Sequence, residues 1–366
     1  MLSSAVKAAA VARELAEETE RGRQLAPGLV AELKAHDLLR IGLTADLGGV
    51  EPTAAEILEA AETIAVGDAS AGWCVSIAAT SSLLGAYLPA EGAREVFGDP
   101  ASVAAGVWAP RAKGSVVDGG VRISGRWSFC SGVRHSDWIF LGFLQDGQVR
   151  TAAFSTAELE ILDTWKTSGL RGTGSTDVVA RDVLVPDHRV FSVLDGPPAG
   201  SRTLQRFPLF GFFAASIAAA ALGNARGALT EFVELATVRK PTGSSRSTAE
   251  RPATQGAFAA AEVSLRAARG LYYQAIDDAW QAADSEVSVE LRTSLRLACT
   301  YAVRTSADVV SAVYDLGGGS SIYEDSPLQR RFRDAHTATA HFQVNPASFE
   351  LAGRVLLGLP TETAQW

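Results

Sequence analysis

The chain has 366 residues, 47% hydrophobic and 20% charged, and Lys+Arg 33 against Asp+Glu 41 gives a net charge of −8. That length has room for two or three structural units around a large core. The acidic balance, with no basic run longer than a pair, excludes a nucleic-acid partner and argues against a membrane-surface role.

The first thirty residues carry Glu or Arg every few positions and no apolar h-region, so no signal peptide is expected and a cytoplasmic location follows. Residues 1–101 are rich in Ala, Leu and Glu at helical spacing. Leu15, Ala16 and Thr19 share one face, and Ile57, Ala61 and Ile64 share another. Breaks at Pro27-Gly28, Gly48-Gly49 and Pro89 divide this N-terminal helical domain into several short helices.

Residues 102–200 change to β texture. "VRISGRWSF" alternates, "DWIFLGFL" is a continuous apolar strand, and "DVVARDVLVP" alternates until Pro186. Gly119-Gly120 and Asp146-Gly147 punctuate hairpins. A small antiparallel barrel or sandwich of about six to eight strands is expected.

Residues 201–366 return to helix. "GFFAASIAAAALG" at 211–223 is mostly alanine and too short a run to span a bilayer, so it reads as a buried core helix. Two further long helical runs follow, enough for a C-terminal four-helix bundle to be expected, with "RKPTGSSRSTAERP" (239–252) as a mobile loop by composition. The expected fold is α+β, mostly α, in three domains at 1–101, 102–200 and 201–366. The cysteines Cys74, Cys130 and Cys299 are odd in number and lack metal-type spacing, so reduced thiols and no metal site are expected.

The stretch "GRWSFCSGVRHSDW" (125–138) carries the chemistry. It sets Trp127, Phe129 and Trp138 among short polar residues, Ser128, Cys130 and Ser131, where an ordinary half-buried strand would carry charged or β-branched ones. On the residues alone Trp127 and Phe129 read as strand core and Ser131 as a turn residue.

Together with "SAGW" (70–73), "TWKTSGLRGTGSTDVVARDVLVPDHRV" (164–190) and "YDLGGGSSIYEDSPLQRRFRDAHTATAH" (314–341), that stretch resembles the acyl-CoA dehydrogenase superfamily over nearly the whole chain. It looks most like the flavin-dependent, two-component (group D) monooxygenase branch, which includes dibenzothiophene monooxygenase and the oxygenase component of p-hydroxyphenylacetate hydroxylase. That branch reads "F-[CS]-S-G" where the dehydrogenases read "W-I-[TS]-N". The dehydrogenases also place a catalytic Glu shortly after the "RDA" turn. Here no acidic residue lies between Asp334 and Glu350, and His341 stands near that place.

The resemblance implies an acyl-CoA dehydrogenase-like fold with a central small β-barrel, and the oxygenase component of a two-component monooxygenase. Such a protein uses reduced FMN or FAD, FMN being the first expectation, and O2. It works through a flavin C4a-hydroperoxide to hydroxylate an aromatic or polycyclic small molecule. A separate NAD(P)H:flavin reductase and a homotetramer are implied too. The alternative is an FAD-dependent dehydrogenase or desaturase, with a non-catalytic scaffold third.

By the same carry-over His341 and Ser131 are catalytic, and Trp127, Phe129, Cys130, Ser131, Trp165, Gly318 and Gly319 contact the cofactor. "GGGSS" (317–321) follows no strand, so a Rossmann reading fails and the plain alternative is an interhelical turn. Arg239 and Arg246 are candidates for a flavin phosphate across a subunit interface. Thr80 and Ser81 stand about where several members of the branch carry a second His. His341, just before Asn345-Pro346, is expected at a helix C-terminus, which favours imidazolium. His336 is expected at a surface or interface, His135 and His188 in exposed turns, and His36 on a helix surface.

Overall fold

The computed structural model describes residues 1–240 and 243–363. Its first hundred residues form α1 (Leu2–Glu14), α2 (Ala16–Gly22), α3 (Pro27–Ala35), α4 (Ala54–Gly67), α5 (Ala69–Leu83) and α6 (Ala90–Phe97). A capping box starts α4: Thr53 Oγ1 accepts from the Glu56 amide at 3.2 Å, and the Glu56 carboxylate accepts from the Thr53 amide at 2.8 Å. Asp68 starts α5, its carboxylate accepting from the Ala71 amide at 2.9 Å. The two helices pack closely because small residues meet; a Cβ on Gly72 would stand 2.4 Å from that of Ala65.

The middle of the chain forms β1 (Ala104–Val107), β2 (Ala112–Val117), β3 (Gly120–Cys130), β4 (Trp138–Gln145), β5 (Gln148–Ser155), β6 (Glu160–Ile161), β7 (Thr176–Pro186) and β8 (Val190–Phe191). They lie in one sheet in the order β6-β7-β3-β2-β4-β5-β8, with β1 beside β4. The Asp146-Gly147 turn, with φ of 50° and 78°, closes the β4–β5 hairpin at the Gln145–Gln148 pair. Asp118 and Gly119 make the β2–β3 turn, and Gly120 is already in strand. The expected barrel does not close. Its end strands, β6 and β8, are two residues each and pair with β7 and β5, not with one another. The sheet has its own core, in which Ile123, Trp127, Phe143 and Phe154 are fully buried.

The C-terminal part comprises α7 (Thr203–Arg206), α8 (Leu209–Val238), α9 (Pro252–Ala282), α10 (Val289–Gly317), α11 (Pro327–Ala338) and α12 (Ala347–Leu356). The alanine run lies in α8, which lies against α4 so closely that a Cβ on Gly223 would meet the Glu62 carbonyl at 2.2 Å. By length and hydropathy α8 and the 69–87 segment could each cross a membrane, but most of each is buried inside the fold. Of the expected mobile loop, Pro241 and Thr242 lie outside the described residues. The rest of the loop turns back on α8, with the Thr248 amide donating to Arg239 O at 2.8 Å and the Ala249 amide to Ala236 O at 3.0 Å.

Arg331 of α11 is 1% exposed and joins three helices. It donates to Glu231 of α8 at 2.9 Å, and to the Ala65, Val66 and Gly67 carbonyls that end α4 at 3.0, 2.6 and 2.9 Å. A helix C-terminus offers such unpaired carbonyls, and a guanidinium satisfies several at once. This contact fixes the face of α11 that carries Asp334.

Candidate active site

The site begins where β3 breaks its alternation. Trp127 pairs with Val178 and Cys130 with Thr176, so the register shifts between them in a bulge. Within it Phe129 takes a left-handed φ of 66°. A non-glycine residue held there costs on the order of 1–3 kcal/mol and tends to mark a functional position. The bulge turns Phe129 outward, 68% exposed, edge-on to Trp165 with ring centroids 6.1 Å apart. A cleft of about 330 Å³ lies beside Trp165, bounded also by Arg23, Arg134 and Asp163. Arg23 donates to Asp163 at 2.8 Å and holds its carboxyl below the usual range.

Two expected cofactor contacts fall elsewhere. Trp127 is fully buried, with Nε1 donating to Gly142 O at 2.7 Å, and Cys130 is fully buried with its thiol on Trp127 O at 3.4 Å. Both side chains belong to the sheet core and offer no face to a ligand. Burial also pushes the Cys130 thiol well up, away from thiolate chemistry.

Ser131, 6% exposed, sits at the head of a line of hydroxyls. Its Oγ accepts from Trp73 Nε1 at 3.2 Å and lies 2.6 Å from Ser175 Oγ, which lies 2.6 Å from Thr173 Oγ1. Thr173 Oγ1 donates to Leu170 O at 2.8 Å, and the same carbonyl accepts from Trp165 Nε1 at 3.0 Å. Leu170 itself is left-handed (φ 48°), and its amide donates to Asp334 Oδ1 at 2.6 Å.

His341 also packs on Trp73, edge to face, with centroids 5.6 Å apart. It is not at a helix C-terminus, because α11 ends at Ala338. His341 instead caps the short turn 342–344, its Nδ1 accepting from the Gln343 amide at 3.4 Å. Burial, with Arg296 adding repulsion, lowers its pKa to about 4, opposite to the expected direction. The imidazole is therefore neutral at neutral pH, and an accepting Nδ1 leaves the proton on Nε2.

Asp334, 2% exposed, has its pKa raised to about 7 by burial and by the neighbouring Asp68 carboxyl, against the bond from Leu170. It faces Trp73, Leu170, Ala220, Ala221 and Ala338 across a space of only about 10 Å³, room for about one water. An aromatic ring enters there only if these side chains part.

Ser131 and His341 are thus brought together through Trp73, and Phe129 and Trp165 through the Leu170 turn. Gly318 and Gly319 are not joined to them. Gly318, with φ of 56°, follows α10, and Arg239 donates to the carbonyl of Gly317 there. Arg246 meets Ser244 through its own backbone. Thr80 and Ser81 donate to the Ile77 carbonyl, both at 2.8 Å, so their protons are used within α5. His336 bonds Ser311 at 3.0 Å and packs on Phe332. His135 and His188 are half-buried, not exposed; His188 lies 2.9 Å from Glu95, and burial lowers His135 to about 4. His36 is half-buried and lies 3.2 Å from Glu32 one turn back.

Trp73, Thr173, Ser175 and Asp334 join the site although the residue types alone did not mark them. Each lies inside a segment that carries the resemblance, "SAGW", "RGTGST" or "RDA". The available signal was the density of hydroxyls in "TGST" opposite those of "SFCSG". Together the exposed Phe129, the Trp165 ring and the Ser131 hydroxyl fit a reduced flavin. They provide aromatic surface for the ring system and an oxygen that can accept from a ring N–H.

A family model described as "Acyl-CoA dehydrogenase, C-terminal domain" matches residues 215–346. Indole-3-acetate monooxygenase of Pseudomonas putida is 34% identical over 349 residues, covering 93% of this chain and 89% of that protein. The FADH(2)-dependent resorcinol hydroxylase, oxygenase component, of Rhizobium sp. (strain MTP-10005) is 30% identical, covering 95% and 91%. The structure of XiaF from Streptomyces sp. in complex with FADH2 and glycerol superposes with a TM-score of 0.91 at 28% identity, covering 99% of this chain and 96% of that one. With the fold and these likenesses in agreement, the chain belongs to the acyl-CoA dehydrogenase-like flavin-dependent monooxygenases, as an oxygenase component that uses reduced flavin.

Proposed function

We propose that this chain hydroxylates an aromatic small molecule with O2, that Ser131 and Phe129 hold the flavin, and that His341 and Asp334 border the substrate. The observation that carries this reading is the bulge at the end of β3, which aims Phe129 outward beside a Ser131 hydroxyl held between Trp73 and Ser175. Bound reduced flavin would supply the electrons and the position at which O2 is activated. Ser131 holds the ring edge through its Oγ, and Phe129 with Trp165 covers the ring and keeps bulk water away. His341 presents a neutral Nε2–H, suited to donating a hydrogen bond to the oxygen being transferred. A dehydrogenase of this superfamily would carry its Glu base shortly after the "RDA" turn, and the sequence from 335 to 349 has no acidic residue.

Of the two flavins, the name of the resorcinol hydroxylase and the XiaF complex favour FAD over the first expectation of FMN. The electrons would come from a separate NAD(P)H:flavin reductase. The exposed Val263 and Leu271 on α9, and Leu356 and Leu357 at the end of α12, support a homotetramer, in which Gly318 and Gly319 would approach a neighbour's cofactor.

The test is product formed per NADH with a generic flavin reductase and a panel of phenols and indoles, hydrogen peroxide being measured in parallel. His341→Ala is expected to lower the product yield by about 10²-fold or more while peroxide rises. An unchanged yield would remove His341 from the chemistry.

A further inference from the structure

The hydroxyl line behind Ser131 has a direction, and it follows from counting protons. Leu170 O can only accept, and Thr173 Oγ1 lies 2.8 Å from it, so the Thr173 proton must lie between them. Otherwise two sets of lone pairs would face each other. With that proton committed, the 2.6 Å contact between Thr173 and Ser175 needs the proton of Ser175. The 2.6 Å contact between Ser175 and Ser131 then needs the proton of Ser131. Trp73 Nε1–H, a donor only, occupies one lone pair of Ser131. Ser131 is left with one free lone pair and no free proton. Exposure falls inward along the line, from 6% at Ser131 to 3% at Ser175 and 1% at Thr173, so water is a poor substitute partner for the inner two.

We propose that Thr173 and Ser175 are positioning residues that lock Ser131 as a hydrogen-bond acceptor and so make the site select reduced over oxidised flavin. This rests on the proposed function, and of the two edge positions a short hydroxyl could reach, N5 or O4, it takes N5 as the one Ser131 meets. Reduced flavin carries a proton at N5 and donates; oxidised flavin has a bare N5 lone pair. A locked acceptor welcomes the first and confronts the second with lone pair against lone pair. A free hydroxyl would rotate to suit either, so selectivity resides in the two residues behind it. The consequence suits an oxygenase component, which must take up dihydroflavin and let the spent oxidised ring go.

The experiment is an anaerobic titration of the full chain with reduced flavin and an aerobic one with oxidised flavin, FMN and FAD each, followed by fluorescence. Wild type is expected to bind the reduced form more tightly. Ser175→Ala frees the Ser131 proton, and the ratio of oxidised to reduced Kd is expected to fall about tenfold, mainly through tighter oxidised binding. Thr173→Val should do the same, and Thr173→Ser should restore the wild-type ratio. Ser131→Ala should instead lose affinity for the reduced form. A purely structural role would weaken both forms alike. Unchanged ratios in Ser175→Ala and Thr173→Val, with wild type still preferring reduced flavin, would overturn the lock and leave the proposed function standing. A wild type that binds neither form, or both equally, would overturn the two together.

Discussion

His341 and His135 are two of the residues through which acid acts on this fold. Burial leads in both cases, with Arg296 beside His341 and Lys34 beside His135 adding repulsion, and each pKa falls to about 4. Below the ordinary imidazole value of about 6.5 the unfolded chain takes up protons that the folded chain refuses. The stability these groups contribute is therefore present at pH 7 and is lost as the pH falls from about 6.5 to about 4. Thermal unfolding over that window should show a steeper fall in Tm for wild type than for the His135→Gln/His341→Gln double variant. The same depression predicts that product yield has no acid limb near 6.5 from His341. Ser131 and Phe129 could be named as candidates from the sequence because "F-[CS]-S-G" has a local pattern. Trp127 misleads because two residues apart on a strand means one face, and the bulge breaks that rule by one residue. Thr173 and Ser175 could not be read as neighbours of Ser131, since only the β3–β7 pairing brings them there.

The α11 helix carries the connection between the bundle and the site. It is held by a buried guanidinium: Arg331 faces Glu231 and three carbonyls, and its own carbonyl accepts from Asn224 at 2.9 Å. Arg331→Met would strand a buried carboxylate and the end of α4 together, and should destabilise the fold by about 3–5 kcal/mol in denaturant unfolding. Flavin affinity should fall with it, because Asp334 lies one turn further along the same helix. The order of helices and strands was legible from periodicity and turn residues. Two features were not. The end of α11 at Ala338 has no glycine or proline to announce it, so Pro346 drew the expected helix end too late. Barrel closure depends on β6 and β8, which are too short to leave an alternating pattern.

At the scale of the whole molecule, one chain supplies Ser131, Phe129, Trp165 and His341, while Gly318 and Gly319 sit apart from them. A homotetramer would give them a role, and light scattering should return about four times the 38.4 kDa chain mass. Dissociation to monomers should weaken flavin binding. Leu170 has a reach that outgrows its size. Its carbonyl receives both the Trp165 indole and the Thr173 hydroxyl, its amide is tied to Asp334, and it lines the space beside Trp73. A guest wide enough to prise that space open must push on this one backbone joint. If the molecule to be oxidised enters there, it would pull on the hydroxyls behind Ser131, and the Kd for reduced flavin is expected to change when an aromatic ligand is present.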